Sequence, residues 1–165
     1  MKTLILVRHA KSSWDVVGLS DFDRPLNERG KKDAPEMAKR LKDHGIKADL
    51  FVSSPAKRAK KTARYFAEEF GTKKDDIILI DELYAANVDT FKKVVSNFKD
   101  SDETVVLFSH NPDITEYANS LTNVRVDDMA TCAMFAVQAE TEKWAEIENA
   151  EKKFLFFDYP KNPLP

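Results

Sequence analysis

The sequence predicts an α/β fold: a three-layer α/β/α sandwich whose central sheet is mostly parallel, with an antiparallel edge. Two observations predict it. Up to about residue 121, short apolar runs alternate with segments of helical periodicity, an order typical of parallel strands covered by helices. Beyond that point the pattern changes to two or three strand-like runs joined by short polar loops. These later runs are expected to form the antiparallel edge.

The individual elements follow from apolar spacing and from capping residues. Strands are predicted at residues 4–7, 49–53, 76–81, 103–109, 132–138, 144–148 and 154–159. The first helix is predicted to begin at Glu28 after the capping residue Asn27 and to end at Gly45. The second is predicted to begin at Pro55, with Ser54 as its cap. Two further helices are predicted at 90–98 and 111–121.

Composition limits the classes of protein that fit. The length of 165 residues predicts a single domain over 1–165, with residues 160–165 loose. A net charge of −2 argues against binding to nucleic acid or an anionic membrane. No apolar run approaches the length of a membrane span, and a single cysteine, interpreted as a packed strand residue at Cys132, suits a reducing compartment. We therefore expect a cytoplasmic protein.

Candidate functional residues follow three of the predicted strands. The first strand ends in Arg8-His9, the second is followed by Arg58 in the first turn of a helix, and the fourth by His110. Because the carboxyl ends of parallel strands open on one crevice, these four side chains are expected to converge.

The residue types in this group suit phosphoryl chemistry. Arginine presents a forked, permanent charge to phosphate, and a neutral histidine is a nucleophile. Nearby guanidinium groups should lower the pKa of His9 and keep its ring neutral. Taken alone, His110 is also compatible with a helix cap, and Arg58 with a solvated helix residue. Their joint placement favours the functional interpretation.

The same segments resemble the histidine phosphatase superfamily, which includes phosphoglycerate mutase-like enzymes. The resemblance is carried by Leu-Val-Arg-His-Ala, by Ser-Ser-Pro-Ala-Lys-Arg-Ala and by Ser-His-Asn-Pro-Asp. The short chain and the segment Arg-Pro-Leu-Asn-Glu-Arg-Gly at 24–30 are similar to the compact SixA type of phosphohistidine phosphatase. The resemblance implies a phosphoglycerate mutase-like fold, His9 as the nucleophile, phosphate ligation by Arg8, Arg58 and His110, and no metal or organic cofactor.

Some positions depart from the family pattern or remain open. Ala10 and Ser109 replace the usual glycines, and both are small. Glu82 is the candidate proton donor, although a surface or helix-capping carboxylate is the favoured interpretation. In the loop after the first strand, Asp21, Asp23 and Arg24 are interpreted as ordering the loop, with Arg24 also a candidate substrate contact. Trp14 is interpreted as a lid over the core, with an anchor for a partner protein as the alternative.

The predicted function is a metal-independent phosphatase that forms a phosphohistidine intermediate. Its expected substrate is phosphohistidine on a signalling or phosphotransfer protein, because the leaving nitrogen can already be protonated near neutral pH. Two alternatives stay open. One is a small-molecule phosphomonoesterase, which needs an acid such as Glu82 near the leaving group. The other is a phosphate-binding adaptor without turnover.

Overall fold

A computed structural model describes residues 1–162 of the chain. In that part of the chain the strands and helices alternate as expected. The strands are β1 (Lys2–Arg8), β2 (Leu50–Ser53), β3 (Ile78–Leu79), β4 (Thr104–Ser109), β5 (Met134–Ala139) and β6 (Lys152–Asp158). The helices are α1 (Glu28–Asp43), α2 (Lys57–Glu69), α3 (Val88–Ser96) and α4 (Asp113–Leu121). None of the helices in residues 1–162 is both long enough and apolar enough to cross a membrane.

The six strands form one sheet in the order β3-β2-β4-β1-β5-β6. The first four strands of this order are parallel, whereas β5 and β6 run antiparallel to their neighbours. This confirms the predicted mostly parallel sheet with an antiparallel edge. In the register, Arg8 of β1 lies opposite Ser109 of β4, and Ser53 of β2 lies opposite Phe108. The carboxyl ends of three adjacent strands therefore meet at one edge.

Helices cover both faces of the sheet, which gives the predicted three layers. Alternate residues of the strands point to opposite faces: Leu4 and Leu6 pack with the residues of α3 and α4, whereas Ile5 and Val7 pack with α1 and α2. All four of these side chains are fully buried. A parallel strand buried on both faces needs apolar residues at every position, which explains the continuous run 4–7.

Helix α1 begins at Glu28 as predicted, because the Asn27 side chain accepts a hydrogen bond from the Gly30 amide at 2.9 Å. The predicted start of the second helix was wrong. Helix α2 begins at Lys57, two residues after Pro55, and the Ser54 hydroxyl forms a hydrogen bond with the His110 ring instead of capping the helix.

Three predictions at the sheet differ from the structure. The third strand is only the two-residue Ile78–Leu79, since 3₁₀ turns occupy residues on either side of it. Residues 144–146 form a 3₁₀ turn and not a strand, and the turn places Trp144 fully buried. Cys132 is buried as expected but precedes β5, at a positive φ of 62°.

At the C-terminus, residues 160–162 form a turn in which Arg40 donates to the Asn162 carbonyl at 3.1 Å. Residues 163–165 lie outside the described residues.

Candidate active site

Two histidines and two arginines meet at the carboxyl ends of β1, β2 and β4. His9 directly follows β1 and His110 directly follows β4, and their ring centroids lie 5.2 Å apart. Arg58 is the second residue of α2, and its Nε lies 3.3 Å from His9 Nε2. With Arg8, these side chains line one cavity of about 290 Å³. The parallel topology thus brings together the four residues that the sequence singled out.

The hydrogen bonds of His9 define which ring nitrogen is available for chemistry. Its Nδ1 lies 2.7 Å from the Ala10 carbonyl oxygen, which can only accept a hydrogen bond. The Nδ1 atom therefore carries the proton, an assignment made from the hydrogen-bond partners. The Nε2 atom keeps its lone pair and accepts from Arg58 Nε. This tautomer leaves Nε2 as the ring nitrogen that can act as a nucleophile.

Burial keeps the His9 ring neutral. The pKa of His9 lies at about 3, well below its ordinary value of 6.5, and burial is the largest cause because it penalises the charged form. The hydrogen bond to Ala10 raises the pKa, whereas His110, Arg58 and Arg8 lower it. The direction agrees with the prediction from the sequence, but the guanidinium groups contribute less than burial does.

His110 is held as a second neutral imidazole. Its Nε2 lies 2.7 Å from the Ser54 hydroxyl, which also accepts from the Ala56 amide at 3.3 Å. The buried hydroxyl has one proton to donate, and in residues 1–162 the acceptor within reach is His110 Nε2, so the proton of His110 is assigned to Nδ1 from the hydrogen-bond partners. Burial, followed by Arg58, lowers the pKa of His110 to about 4. His110 is therefore equipped to donate a hydrogen bond from Nδ1.

Two buried polar atoms of the site have no hydrogen-bond partner among residues 1–162. They are Nε of Arg8 and Nδ1 of His110. Arg8 is otherwise anchored, since its Nη1 donates to the Met129 carbonyl at 2.8 Å. Buried polar groups in folded proteins nearly always have partners. Two unpartnered donors on side chains that line one cavity are what a ligand with several acceptor oxygens requires.

The guanidinium of Arg58 also contacts the loop after β1. Its Nη1 donates to the Asp21 carbonyl oxygen at 2.6 Å, and its Nη2 donates to Asp21 Oδ2 at 3.0 Å. The side chain of Arg58 is 7% exposed, whereas that of Asp21 is half exposed. Asp21 thus lies at the mouth of the cavity and Arg58 lies within it.

The sequence around these residues matches a known family. Residues 4–89 match the model of the histidine phosphatase superfamily, branch 1, and this stretch is more than half of the chain. The chain belongs to the histidine phosphatase superfamily. The matched stretch of this histidine phosphatase includes Arg8, His9 and Arg58, whereas His110 lies beyond it.

Relatives of this histidine phosphatase differ in how much of it they cover. An uncharacterized chloroplastic protein of Arabidopsis thaliana is 30% identical over 153 residues, which span 88% of this chain and 70% of the plant protein. A 2,3-bisphosphoglycerate-dependent phosphoglycerate mutase of Bartonella tribocorum is 38% identical over 72 residues, which span 42% of this chain and 35% of the mutase. The similarity to the mutase is therefore confined to less than half of either protein.

Among solved structures, a close match in size comes from Agrobacterium tumefaciens. That protein, assigned as the phosphohistidine phosphatase SixA, is 26% identical and superposes with a TM-score of 0.80 over 96% of this chain and 98% of its own. The match confirms the phosphoglycerate mutase-like fold of the compact SixA type that the motifs implied. Together, the family match and this structural match show that the protein is a phosphatase.

The fifth candidate, Glu82, does not join the other four. Its carboxylate lies 3.8 Å from Lys93 Nζ, and both side chains are exposed. Glu82 lines a different cavity, whose walls include Leu50 and Phe98. Within the part of the chain that the structure describes, the acidic side chain lining the His9 cavity is that of Asp21.

Two residues near the cavity of the histidine phosphatase gave weaker signals in the sequence. The sequence indicates for Asp21 only an ordering of its loop and gives no functional signal for Tyr84, yet the Tyr84 hydroxyl donates to Asp21 Oδ2 at 2.7 Å. Asp21 and Tyr84 are 63 residues apart in the sequence, and their contact depends on how both loops fold. Trp14 is not a lid over the core: the residue is 75% exposed, and its ring stacks on the guanidinium of Arg24 at 3.5 Å.

Proposed function

We propose that this protein is a metal-independent phosphatase that removes the phosphoryl group from phosphohistidine on a signalling or phosphotransfer protein. The observation that carries the proposal is the neutral His9, whose Nε2 lone pair lies beside Arg58 in a cavity shared with Arg8 and His110. A nucleophilic nitrogen surrounded by fixed hydrogen-bond donors is the arrangement that phosphoryl transfer needs.

The reaction takes two steps. His9 Nε2 attacks phosphorus, and the bond from phosphorus to the leaving nitrogen breaks with its electron pair on that nitrogen. Water then attacks the phosphoryl group on His9, releasing orthophosphate and regenerating the neutral ring. The charge that develops on the equatorial oxygens is stabilised by the guanidinium groups of Arg8 and Arg58 and by the Nδ1–H group of His110. These donors are held in place before the substrate arrives.

The position of Glu82 and the ionisation of Asp21 support phosphohistidine, and not a phosphate ester, as the substrate. An alkoxide leaving group needs a positioned acid. Glu82 lies in another cavity, and the hydrogen bond from Tyr84, with contributions from Arg58 and Arg24, lowers the pKa of Asp21 to about 2. An ionised Asp21 is a poor proton donor near neutral pH. The imidazole of phosphohistidine has little need of one, because its ring can already be protonated near neutral pH.

The surface beside the cavity supports a protein substrate. Most of the exposed large apolar side chains in residues 1–162 lie in the loop after β1, at Trp14, Val16, Val17, Leu19 and Phe22. Trp14 itself lines the His9 cavity. Clustered exposed apolar residues are typical of surfaces that bind another protein. A partner that presents a phosphorylated side chain would cover this loop while its phosphoryl group enters the cavity.

The test is hydrolysis by the purified protein, with a chelator present, of a phosphohistidine-bearing protein and of p-nitrophenyl phosphate in parallel. We expect the phosphohistidine protein to be hydrolysed with the higher kcat/KM. Glu82→Gln should leave that rate within about twofold, and His9→Ala should abolish it. Preference for p-nitrophenyl phosphate would replace the proposal with a small-molecule phosphatase. Phosphate binding without turnover of either compound would indicate an adaptor.

A further inference from the structure

Arg58, whose guanidinium contacts the His9 ring, already binds an anionic residue of the protein itself. Both Nη atoms of Arg58 donate to Asp21, one to its carbonyl oxygen at 2.6 Å and the other to Oδ2 at 3.0 Å. The Nε atom of the same guanidinium lies 3.3 Å from the nucleophilic His9 Nε2. The forked face of Arg58, which would bind two phosphoryl oxygens, is therefore occupied by Asp21, one nitrogen by its main-chain carbonyl and the other by its carboxylate.

Other donors converge on the same carboxylate. Arg24 Nε donates to Oδ1 of Asp21 at 3.1 Å, and the Tyr84 hydroxyl donates to Oδ2 at 2.7 Å. Both Asp21 and Arg24 line the His9 cavity together with Arg58. The hydrogen bond from Tyr84 and those from the two arginines keep the pKa of Asp21 at about 2, so the carboxylate is ionised at any working pH. Each of these donors would suit a phosphoryl oxygen equally well.

We propose that Asp21 is an internal anion that competes with the phosphoryl group for Arg58 and thereby sets how tightly the site holds phosphate. The inference rests on the proposed function, since it assumes that phosphate binds in this cavity. A phosphoryl group that engages the Arg58 fork must displace the Asp21 carboxylate or share the guanidinium with it. In both cases the negative charge of Asp21 opposes the arriving anion.

The competition has a consequence for turnover. Orthophosphate, the product of the second step, meets the same opposing charge and is released more readily. The alternative role for Asp21 is only to position Arg58, as buried guanidinium groups often need a carboxylate partner. The two roles predict opposite effects of removing the charge: competition predicts tighter phosphate binding, and positioning predicts weaker binding.

The test is Asp21→Asn, measured by calorimetric titration with orthophosphate and by product inhibition. The amide keeps the size of the side chain and an acceptor for Tyr84, but it removes the negative charge. We expect the Kd and the inhibition constant for orthophosphate to fall about tenfold. Asp23→Asn is the matched control, because Asp23 bonds to Ser20 at 3.0 Å and does not line the cavity; it should change the Kd less than twofold.

A second variant covers the case in which Asp21→Asn folds poorly. Asp21→Ser removes the same negative charge with a smaller side chain and should lower the Kd for orthophosphate in the same direction. Unchanged or weaker phosphate binding by these variants would overturn the inference while leaving the proposed function intact. If the wild-type protein binds no orthophosphate and hydrolyses neither substrate, the proposed function fails and this inference fails with it.

Discussion

At the scale of single residues, the protonation state of His9 follows from where the fold buries it. Because its pKa is lowered to about 3, the neutral ring persists as the pH falls, and protonation should begin only well below the ordinary value. We expect ¹⁵N NMR of the imidazole to show the Nδ1–H tautomer unchanged between about pH 8 and pH 5. The His9→Ala variant assigns the signal. A titration midpoint near the ordinary value of about 6.5 would contradict this account.

Phosphate binding and turnover are expected to depend on different side chains of this site. His9→Ala removes the nucleophile but leaves Arg8, Arg58 and His110, so we expect no turnover and orthophosphate binding within about tenfold of wild type. Calorimetric titration and a hydrolysis assay measure the two effects, and a thermal melt checks that the variant is folded. Full activity in this variant would remove His9 from its proposed role.

The convergence of the four site residues could be predicted from the sequence, because their positions relative to the strands determine where they lie. Arg8, His9 and His110 directly adjoin strand ends, and Arg58 lies in the first turn of the helix after β2, so a parallel sheet suffices to bring them together. Asp21 reaches the cavity only through the path of a long loop, which has no periodicity to interpret. The position of Trp14 could not be predicted for the same reason, since its stacking on Arg24 depends on how that loop folds back.

At the scale of elements, Gly30 fixes how α1 packs against the loop that follows β1. A Cβ atom at Gly30 would overlap the carbonyl oxygen of Lys11, and that same oxygen accepts the Asn27 amide at 3.0 Å. Gly30→Ala should therefore lower the free energy of unfolding by about 1–3 kcal/mol, despite the higher helix propensity of alanine.

Chemical denaturation measures this effect. Lys32→Ala, an exposed change on the same helix, is the control and should stay within about 0.5 kcal/mol of wild type. A Gly30→Ala protein as stable as wild type would show that the loop after β1 shifts to accommodate the Cβ atom at no cost in the free energy of unfolding. The helix itself was predictable, since its cap and its apolar spacing are local features.

Other elements were less predictable because distant contacts override local preference. Ser54-Pro55 is a typical start for a helix, but the Ser54 hydroxyl bonds instead to His110, 56 residues away. The apolar residues at 144–148 suggested a strand, yet Trp144 turns inward and donates through Nε1 to the Asp102 carbonyl at 2.6 Å. In both cases a tertiary hydrogen bond decides the local structure.

At the scale of the whole molecule, one carboxylate joins the helical layer to the edge of the sheet. Asp158 of β6 is 5% exposed and pairs with Arg40 of α1 at 2.5 Å and with His44 at 3.1 Å. Burial alone would raise the pKa of Asp158, but the hydrogen bonds from His44 and Asn162 and the charge of Arg40 outweigh it, and the pKa is lowered.

Asp158→Asn leaves Arg40 without its ion partner and should reduce the free energy of unfolding at pH 7 by about 3 kcal/mol. A carboxyl whose pKa is lowered on folding stabilises the protein above its unfolded pKa, and this contribution is lost as the pH falls through the folded value. The difference between the two proteins, followed by thermal melts, should therefore narrow below about pH 4. A difference independent of pH would contradict the ion-pair explanation.

The phosphoenzyme is the most direct test of the central claim, that His9 carries the phosphoryl group. The protein is mixed briefly with a phosphohistidine protein labelled with ³²P, quenched in alkali, and digested for mapping of the label. We expect the label on the peptide that contains His9, stable in base and lost in acid, with none on the His9→Ala variant. Turnover without a labelled intermediate, or label on another residue, would contradict the account.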